Sequence, residues 1–158
     1  MYKKILVPLD GSSIGECVLS HVQAIATGCS VPEVDLLYVV DSLGSKAFAY
    51  DPDTMTPVVE IEKESLDKAE AQGKDYLGKL AAGLKADGVA VKSVVLRGRP
   101  AEEILDYTEK NGIDLIIMST HGRSGPARWA MGSVADKIVR LSKAAVMVVR
   151  HPSCTIAV

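Results

Sequence analysis

The 158-residue sequence predicts an α/β fold, in which an open, twisted, five-stranded parallel sheet carries helices on both faces. Short runs rich in Val, Ile and Leu alternate with segments of helical periodicity. Near-continuous apolar runs of this kind are typical of parallel strands covered on both sides. Hydrophobic residues make up 47% of the chain and charged residues 24%, which is a globular composition. We therefore expect one three-layer domain over residues 1–158, with the strand order 3-2-1-4-5.

Five apolar runs predict the strands of this sheet. The run nearest the middle of the chain is interrupted by Lys92 and Ser93, so we expect its strand to lie near an edge. The expected strands cover residues 3–9, 34–40, 89–96, 113–118 and 144–149.

The first two helices are predicted from a cap and from apolar spacing. Ser13 and Glu16 have the spacing of a capping box, and apolar residues then recur every three or four positions as far as Ile25. A long helix is expected over residues 60–84. The segment 42–59 lacks periodicity and predicts a long loop.

The last two helices are predicted from their ends. Pro100 suits the first position of a helix, and Gly112 suits the position just past its end. Ser133, followed three residues later by Asp136, predicts the cap of the final helix. The tail 151–158 is expected to be poorly ordered.

The stretch between the fourth strand and the last helix is the most informative for function. It runs from the carboxyl end of a strand to a helix N-terminus, which is where open α/β sheets bind ligands. Its glycines permit close approach of the backbone, its Gly-Ser pair opens a helix whose free N–H groups favour phosphate, and its arginines bring positive charge. The residues with these properties are Gly122, Gly125, Gly132, Ser133, Arg123 and Arg128.

Asp10 ends the first strand and is the second candidate site residue. In the order 3-2-1-4-5, the first and fourth strands flank the switch point, so Asp10 is expected to face the same crevice as Gly122. A carboxylate there accepts hydrogen bonds from ribose hydroxyls or holds a metal-bound water. The alternative is that Asp10 is a turn residue before Gly11.

Several functional classes lack their sequence signals. Neither G-x-x-x-x-G-K-[ST] nor an early G-x-G-x-x-G occurs, which argues against a Walker NTPase or an NAD enzyme. The net charge of −2 argues against a nucleic-acid partner. No apolar run reaches the roughly 18–20 residues that span a bilayer, so we expect no membrane partner and a cytoplasmic location.

With these motifs, residues 2–150 resemble the universal stress protein family, in its ATP-binding type. The family pattern G-x2-G-x9-G-[ST] is matched by Gly122, nine intervening residues, and Gly132-Ser133, while Ser119 stands where the family has its first glycine. The family's V-P-x-D-G-S is matched by residues 7–12, and its helix-opening segment is matched at Gly98-Arg99-Pro100 and Ile104.

The resemblance implies an adenine nucleotide alpha hydrolase-like fold that holds ATP or another adenine nucleotide. Adenine is then expected near Pro8, Leu9 and Val39, with Asp10 on the nucleoside side. Mg²⁺ or Mn²⁺ is expected to bridge phosphate oxygens. The residues expected at the ribose and phosphates, or beside them, are Ser119, Gly122, Arg123, Gly125, Gly132, Ser133 and Val134. The resemblance also implies a homodimer through the last strand, at Val146, Met147, Val148 and Val149.

Three functions of different classes follow from the sequence. The first is a homodimeric ATP-binding protein with a regulatory role in the stress response. The second is a slow Mg²⁺-dependent ATPase, for which the sequence offers no assured catalytic base. The third is a nucleotide-free stress-response interaction protein, in which the glycines serve only the turn. Binding and turnover of Mg-ATP distinguish the three.

Overall fold

The described parts of the chain form five parallel strands and five helices. The structure is a computed structural model, and it describes residues 2–42, 59–120 and 131–150. Of the segment 42–59 that the sequence predicts as a loop, residues 43–58 lie outside the described residues, as does the tail 151–158. In chain order, the elements are β1 (Lys4–Leu9), α1 (Ser13–Glu16), α2 (Leu19–Gly28), β2 (Glu33–Asp41), α3 (Val59–Ala86), β3 (Val91–Gly98), α4 (Pro100–Asn111), β4 (Leu115–Ser119), α5 (Ser133–Leu141) and β5 (Ala145–Val149).

The strands form one sheet in the order β3-β2-β1-β4-β5, which confirms the predicted order. All four strand pairings are parallel. At the centre, Ile5 of β1 is level with Val34 of β2 on one side and with Leu115 of β4 on the other. The interrupted run around Lys92 is β3, an edge strand as expected.

Two hydrophobic clusters cover the two faces of the sheet. Alternate residues of β1 serve different clusters, because successive side chains of a strand point to opposite faces. Val7 packs on one face with Val22 of α2 and Leu77 of α3. Leu6 packs on the other face with Ile104 of α4 and Ile138 of α5, so the sheet lies between two helical layers.

The helix boundaries show which local signals decided the structure. Pro100 begins α4, and Gly112 caps it with a left-handed φ of 63°, both as predicted. The first predicted helix is divided instead into α1 and α2, because the chain turns at Cys17, whose N–H bonds to the Ile14 carbonyl.

Asp35 is a buried carboxyl group in the middle of the sheet. It is 0% exposed, and only one of its oxygens is bonded: the Tyr107 hydroxyl donates to Oδ2 at 2.9 Å, while Oδ1 has no partner. Burial raises the pKa of Asp35, and neighbouring Glu33 adds to the rise, whereas the Tyr107 hydrogen bond and Lys92 oppose it. Lys4 of β1 also faces this group.

The raised pKa has a defined consequence for stability. The folded state binds the Asp35 proton more tightly than the unfolded chain does. The stability that this proton contributes is therefore fully present below the pKa of Asp35 in the unfolded chain, and it is lost as the pH rises through the pKa of Asp35 in the folded state. We expect Asp35→Asn to raise the free energy of unfolding by about 1 kcal/mol at pH 8, with a smaller gain near pH 4. Urea denaturation at several pH values measures this difference.

Asp106→Asn is the matched control, because Asp106 is an exposed acid of α4 that pairs with Lys110 at 2.8 Å. Its effect on unfolding should vary little over the same pH range. If Asp35→Asn raised the free energy of unfolding equally at every pH, the result would contradict the conclusion that the buried charge of Asp35 destabilises the folded state.

Candidate functional site

A cavity of about 330 Å³ opens at the carboxyl ends of the central strands. Its walls come from the ends of β1, β2 and β4 and from the first turns of α4 and α5. The helix that follows β1 in its layer, α2, and the helix that follows β4, α5, lie on opposite faces of the sheet, so the chain diverges after these two neighbouring strands. This divergence is the switch point that the sequence predicted.

Most of the predicted nucleotide-site residues line this one cavity. Gly122, Arg123 and Gly125 lie outside the described residues. The predicted residues that the structure brings together in the cavity wall are Pro8, Leu9, Asp10, Val39, Ser119, Gly132, Ser133 and Val134.

Asp10 is held at the cavity by a tight turn. The backbone N–H of Ser12 donates to Asp10 Oδ1 at 3.0 Å, and the Ser12 hydroxyl donates to the same oxygen at 2.6 Å. Gly11 between them adopts a left-handed φ of 80°, which glycine accommodates without strain. Asp10 is therefore both a turn residue and a cavity residue, and the two interpretations of the sequence are compatible.

Ser12 also begins α1, which corrects the predicted cap. Its hydroxyl accepts a hydrogen bond from the Gly15 N–H at 3.0 Å, so Ser12 is the N-cap. The predicted capping box at Ser13 and Glu16 is wrong by one residue, because Ser13 is already the first helical residue. One hydroxyl thus bonds to both the cavity carboxylate and the helix end.

Gly15 allows α1 to approach Asp10 closely. A Cβ at this position would lie 3.0 Å from Asp10 Oδ1 and 3.3 Å from Ser12 Oγ. Both distances are shorter than ordinary van der Waals contact. Any larger residue at position 15 would therefore press on the oxygen atoms that hold Asp10 in place.

The opposite wall is the N-terminus of α5. Gly132 is its N-cap and supplies no capping side chain, and Ser133 is the first helical residue, so the predicted Ser133 cap is wrong by one position. The Gly132 N–H donates to the Thr120 carbonyl at 2.9 Å, which fixes the helix end beside β4. The first-turn N–H groups have no partner within a helix, and here Ser133, Val134 and Ala135 line the cavity.

The cavity wall combines acidic, small polar and apolar residues. Asp10 and Asp41 are the acids in its described wall, which contains no Lys or Arg. The side chains of Leu37, Ile104 and Met118 form apolar surface. Carboxylates accept hydrogen bonds from hydroxyl or amino groups, and a helix N-terminus favours anions, so the arrangement suits a ligand with both features.

The described residues contain no group of three or more His, Cys, Asp or Glu side chains that could hold a metal ion.

The family model for the universal stress protein family matches residues 1–150. The chain belongs to this family. Universal stress protein MJ0577 of Methanocaldococcus jannaschii is 33% identical over 157 residues, which is 96% of each chain. The solved structure of MJ0577 has a TM-score of 0.82 at 35% identity and covers 95% of this chain and 96% of its own. UspA of Lactobacillus plantarum has a TM-score of 0.79 at 28% identity, covering 94% and 98%.

Two more distant members of the family share the fold and have been solved with nucleotides. One is a universal stress protein in complex with cAMP, with a TM-score of 0.64 at 19% identity, covering 94% of this chain and 97% of its own. The other is from Arabidopsis thaliana with AMP bound, with a TM-score of 0.64 at 15% identity, covering 94% and 91%.

Sequence analysis of this universal stress protein missed part of the cavity wall. Asp41 is the last residue of β2 and Asp10 directly follows β1, so an acid at the end of a strand could have identified Asp41 as a cavity residue. The sequence motif includes Pro100 and Ile104 but does not predict that they line the cavity. The cavity residues that were missed are Gly15, Leu37, Asp41, Pro100, Ile104, Met118, Thr120 and Ala135.

Among the described residues, no helix combines the length and the apolar character that a membrane span requires.

The Ser12 turn can be tested against its neighbour. Ser12→Ala removes the N-cap of α1 and the hydroxyl bond to Asp10, so we expect a loss of about 1 kcal/mol in the free energy of unfolding. Ser13→Ala is the matched control and should change this free energy by less than about 0.5 kcal/mol. Chemical denaturation measures both. A larger loss for Ser13→Ala would instead support the capping box predicted from the sequence.

Proposed function

We propose that this universal stress protein binds an adenine nucleotide, ATP foremost, in the cavity between β1, β4 and α5, and that the binding serves regulation. The observation that carries the proposal is the pairing of a strand-end carboxylate with a helix N-terminus across one apolar cavity of about 330 Å³. Such a volume falls within the range of small-molecule sites.

Each part of the nucleotide has a matching surface. Adenine is large and flat, and the apolar side chains of Pro8, Leu9 and Val39 suit it. Asp10, oriented by Ser12, accepts hydrogen bonds from the nucleoside. The phosphates lie at the first turn of α5, where the first-turn N–H groups of Ser133 and Val134 favour an anion.

The charge of the site calls for a cation with the phosphates. The described wall carries two carboxylates and no basic side chain, and bound phosphates would add further negative charge. Mg²⁺ or Mn²⁺ bound to phosphate oxygens offsets this charge, since such ions are commonly held by substrate phosphates with few protein ligands. Arg123, whose placement is outside the described residues, is a further proposed source of positive charge.

The comparisons support an adenine nucleotide without selecting one. The two distant relatives solved with cAMP and AMP share the fold of this chain. They provide precedents for nucleotide binding on this architecture, and the assignment of ATP to this chain rests on the cavity and the glycine spacing described above. A cytoplasmic location and a single domain over residues 1–158 are also part of the proposal.

Calorimetric titration with Mg-ATP tests the proposal directly. We expect saturable binding near one site per chain, and Gly132→Val should abolish it because a branched side chain blocks phosphate approach to α5. Gly28→Val is the matched control, since a Cβ at residue 28 meets nothing within 4 Å. Thermal melting of each variant verifies folding.

The same samples distinguish the remaining alternatives. Sustained phosphate release would identify a slow ATPase, whereas binding without release fits a regulatory binding protein. A folded, unsubstituted chain that gave neither binding heat nor a thermal shift would overturn the proposal and favour a nucleotide-free interaction protein.

We also propose a homodimer through β5. This strand is an edge of the described sheet, and its residues Val146, Met147, Val148 and Val149 are half-buried. On the neighbouring helix, Val139 and Leu141 are 43% and 58% exposed. An apolar edge strand is prone to pair with another strand, and a second copy of this chain offers a matching one.

Val148→Lys tests the proposed interface. In the described structure Val148 belongs to neither core cluster, so the substitution places a charge on the edge with little change to the core. We expect sedimentation velocity to show a monomer for this variant. Ser93→Lys, on the opposite edge strand β3, should leave the dimer intact. A monomeric unsubstituted chain would contradict the proposal.

A further inference from the structure

Three charged side chains bridge α4 and α5 beside the cavity. Glu102 Oε1 is 3.3 Å from Arg99 Nη1 and 3.2 Å from Lys137 Nζ, so one carboxylate oxygen pairs with two cations. We call Arg99, Glu102 and Lys137 the rim triad. Arg99 is the residue before α4, Glu102 is in the first turn of α4, and Lys137 is on α5.

The rim triad adjoins the proposed phosphate end of the cavity. Pro100, which follows Arg99, lines the cavity, as does Ser133, which lies one helical turn before Lys137. In a helix, a residue and the one four positions later share a face. The triad therefore spans the gap between the two helices whose first turns form the cavity wall.

The charges of the rim triad do not balance. It contains two cations and one carboxylate, which leaves a net positive charge beside a cavity whose charged lining residues, among those described, are the acids Asp10 and Asp41. All three side chains are exposed, and exposed ion pairs are weakly held. The cations can therefore exchange Glu102 for a more highly charged anion.

We propose that the rim triad makes the site selective for phosphate chain length, with Lys137 and Arg99 exchanging Glu102 for the distal phosphates of the nucleotide. The inference rests on the proposed adenine-nucleotide function and specifies its ligand class as a nucleoside polyphosphate. A nucleoside monophosphate ends at the first turn of α5 and leaves the triad paired.

The electrostatics of Glu102 agree with this role. The Lys137 hydrogen bond, followed by the one from Arg99, lowers the pKa of Glu102, so the group is ionised at neutral pH and competes with an incoming phosphate for both cations. Glu102 therefore weakens polyphosphate binding, whereas Lys137 strengthens it. The two residues should give opposite results when substituted.

Titrations of AMP and ATP at constant Mg²⁺ test the inference through the ratio of the two affinities. Lys137→Met should lower the ATP-to-AMP affinity ratio about threefold, because it removes one exposed cation. Glu102→Gln should raise the same ratio by about the same factor. Added salt should reduce the ratio more in the unsubstituted protein than in Lys137→Met.

Arg140→Gln is the matched control. Arg140 lies on α5, as Lys137 does, but it pairs with Asp136 of that helix at 2.9 Å. Among the described residues, Arg140 forms no ion pair with the rim triad. Its ATP-to-AMP ratio should equal that of the unsubstituted protein.

The outcomes separate this inference from the function on which it rests. Binding of AMP and ATP with a ratio that neither triad substitution changes would overturn the inference and leave nucleotide binding standing. A ratio lowered by both substitutions would also overturn it, since a merely structural bridge between α4 and α5 predicts the same sign for both. Binding of neither nucleotide by the unsubstituted protein would refute both proposals.

Discussion

The position of β1 between β2 and β4 is the constraint on which the rest of the structure depends. Parallel strands need crossover connections, and those that follow β1 and β4 pass over opposite faces of the sheet. Among the described residues, the ends of these two strands border the cavity. The resulting cavity is a consequence of the topology, and the side chains around it determine only its chemistry.

That chemistry is supplied largely by backbone and by short side chains. The Asp10 carboxylate is oriented by a serine two residues away, and the opposite wall is formed by the N-terminus of α5. Both depend on close approach, which Gly15 permits on the α1 side. Larger side chains enter mainly as apolar surface, so the site combines orientation by the backbone with a hydrophobic interior.

The sequence predicted the architecture well because the evidence for it is local. Apolar runs and their spacing identify buried strands, and Pro100 and Gly112 mark helix ends by their own dihedral preferences. The one-residue errors at Ser13 and Ser133 have a shared cause: in each case the preceding residue, Ser12 or Gly132, is also of a type that caps helices and takes the N-cap position. Only the fold decides between them, here through the left-handed Gly11 and the bond from Gly132 to Thr120.

The parts that were not predicted depend on contacts between distant segments. Ile104 reaches the cavity because α4 packs against β2, a strand that is far from it in sequence. Nothing near Asp35 in the sequence indicates its hydrogen bond to Tyr107, which lies 72 positions along the chain. Local periodicity carries no information about such pairs.

The absence of a capping side chain on α5 connects folding to ligand occupancy. Gly132 offers no side-chain cap to this nine-residue helix, and such a cap is commonly worth about 1 kcal/mol to a helix. An anion seated there would act as the missing cap. The binding free energy of such an anion would also stabilise the end of the helix, so filling the cavity and ordering this helix end would be coupled.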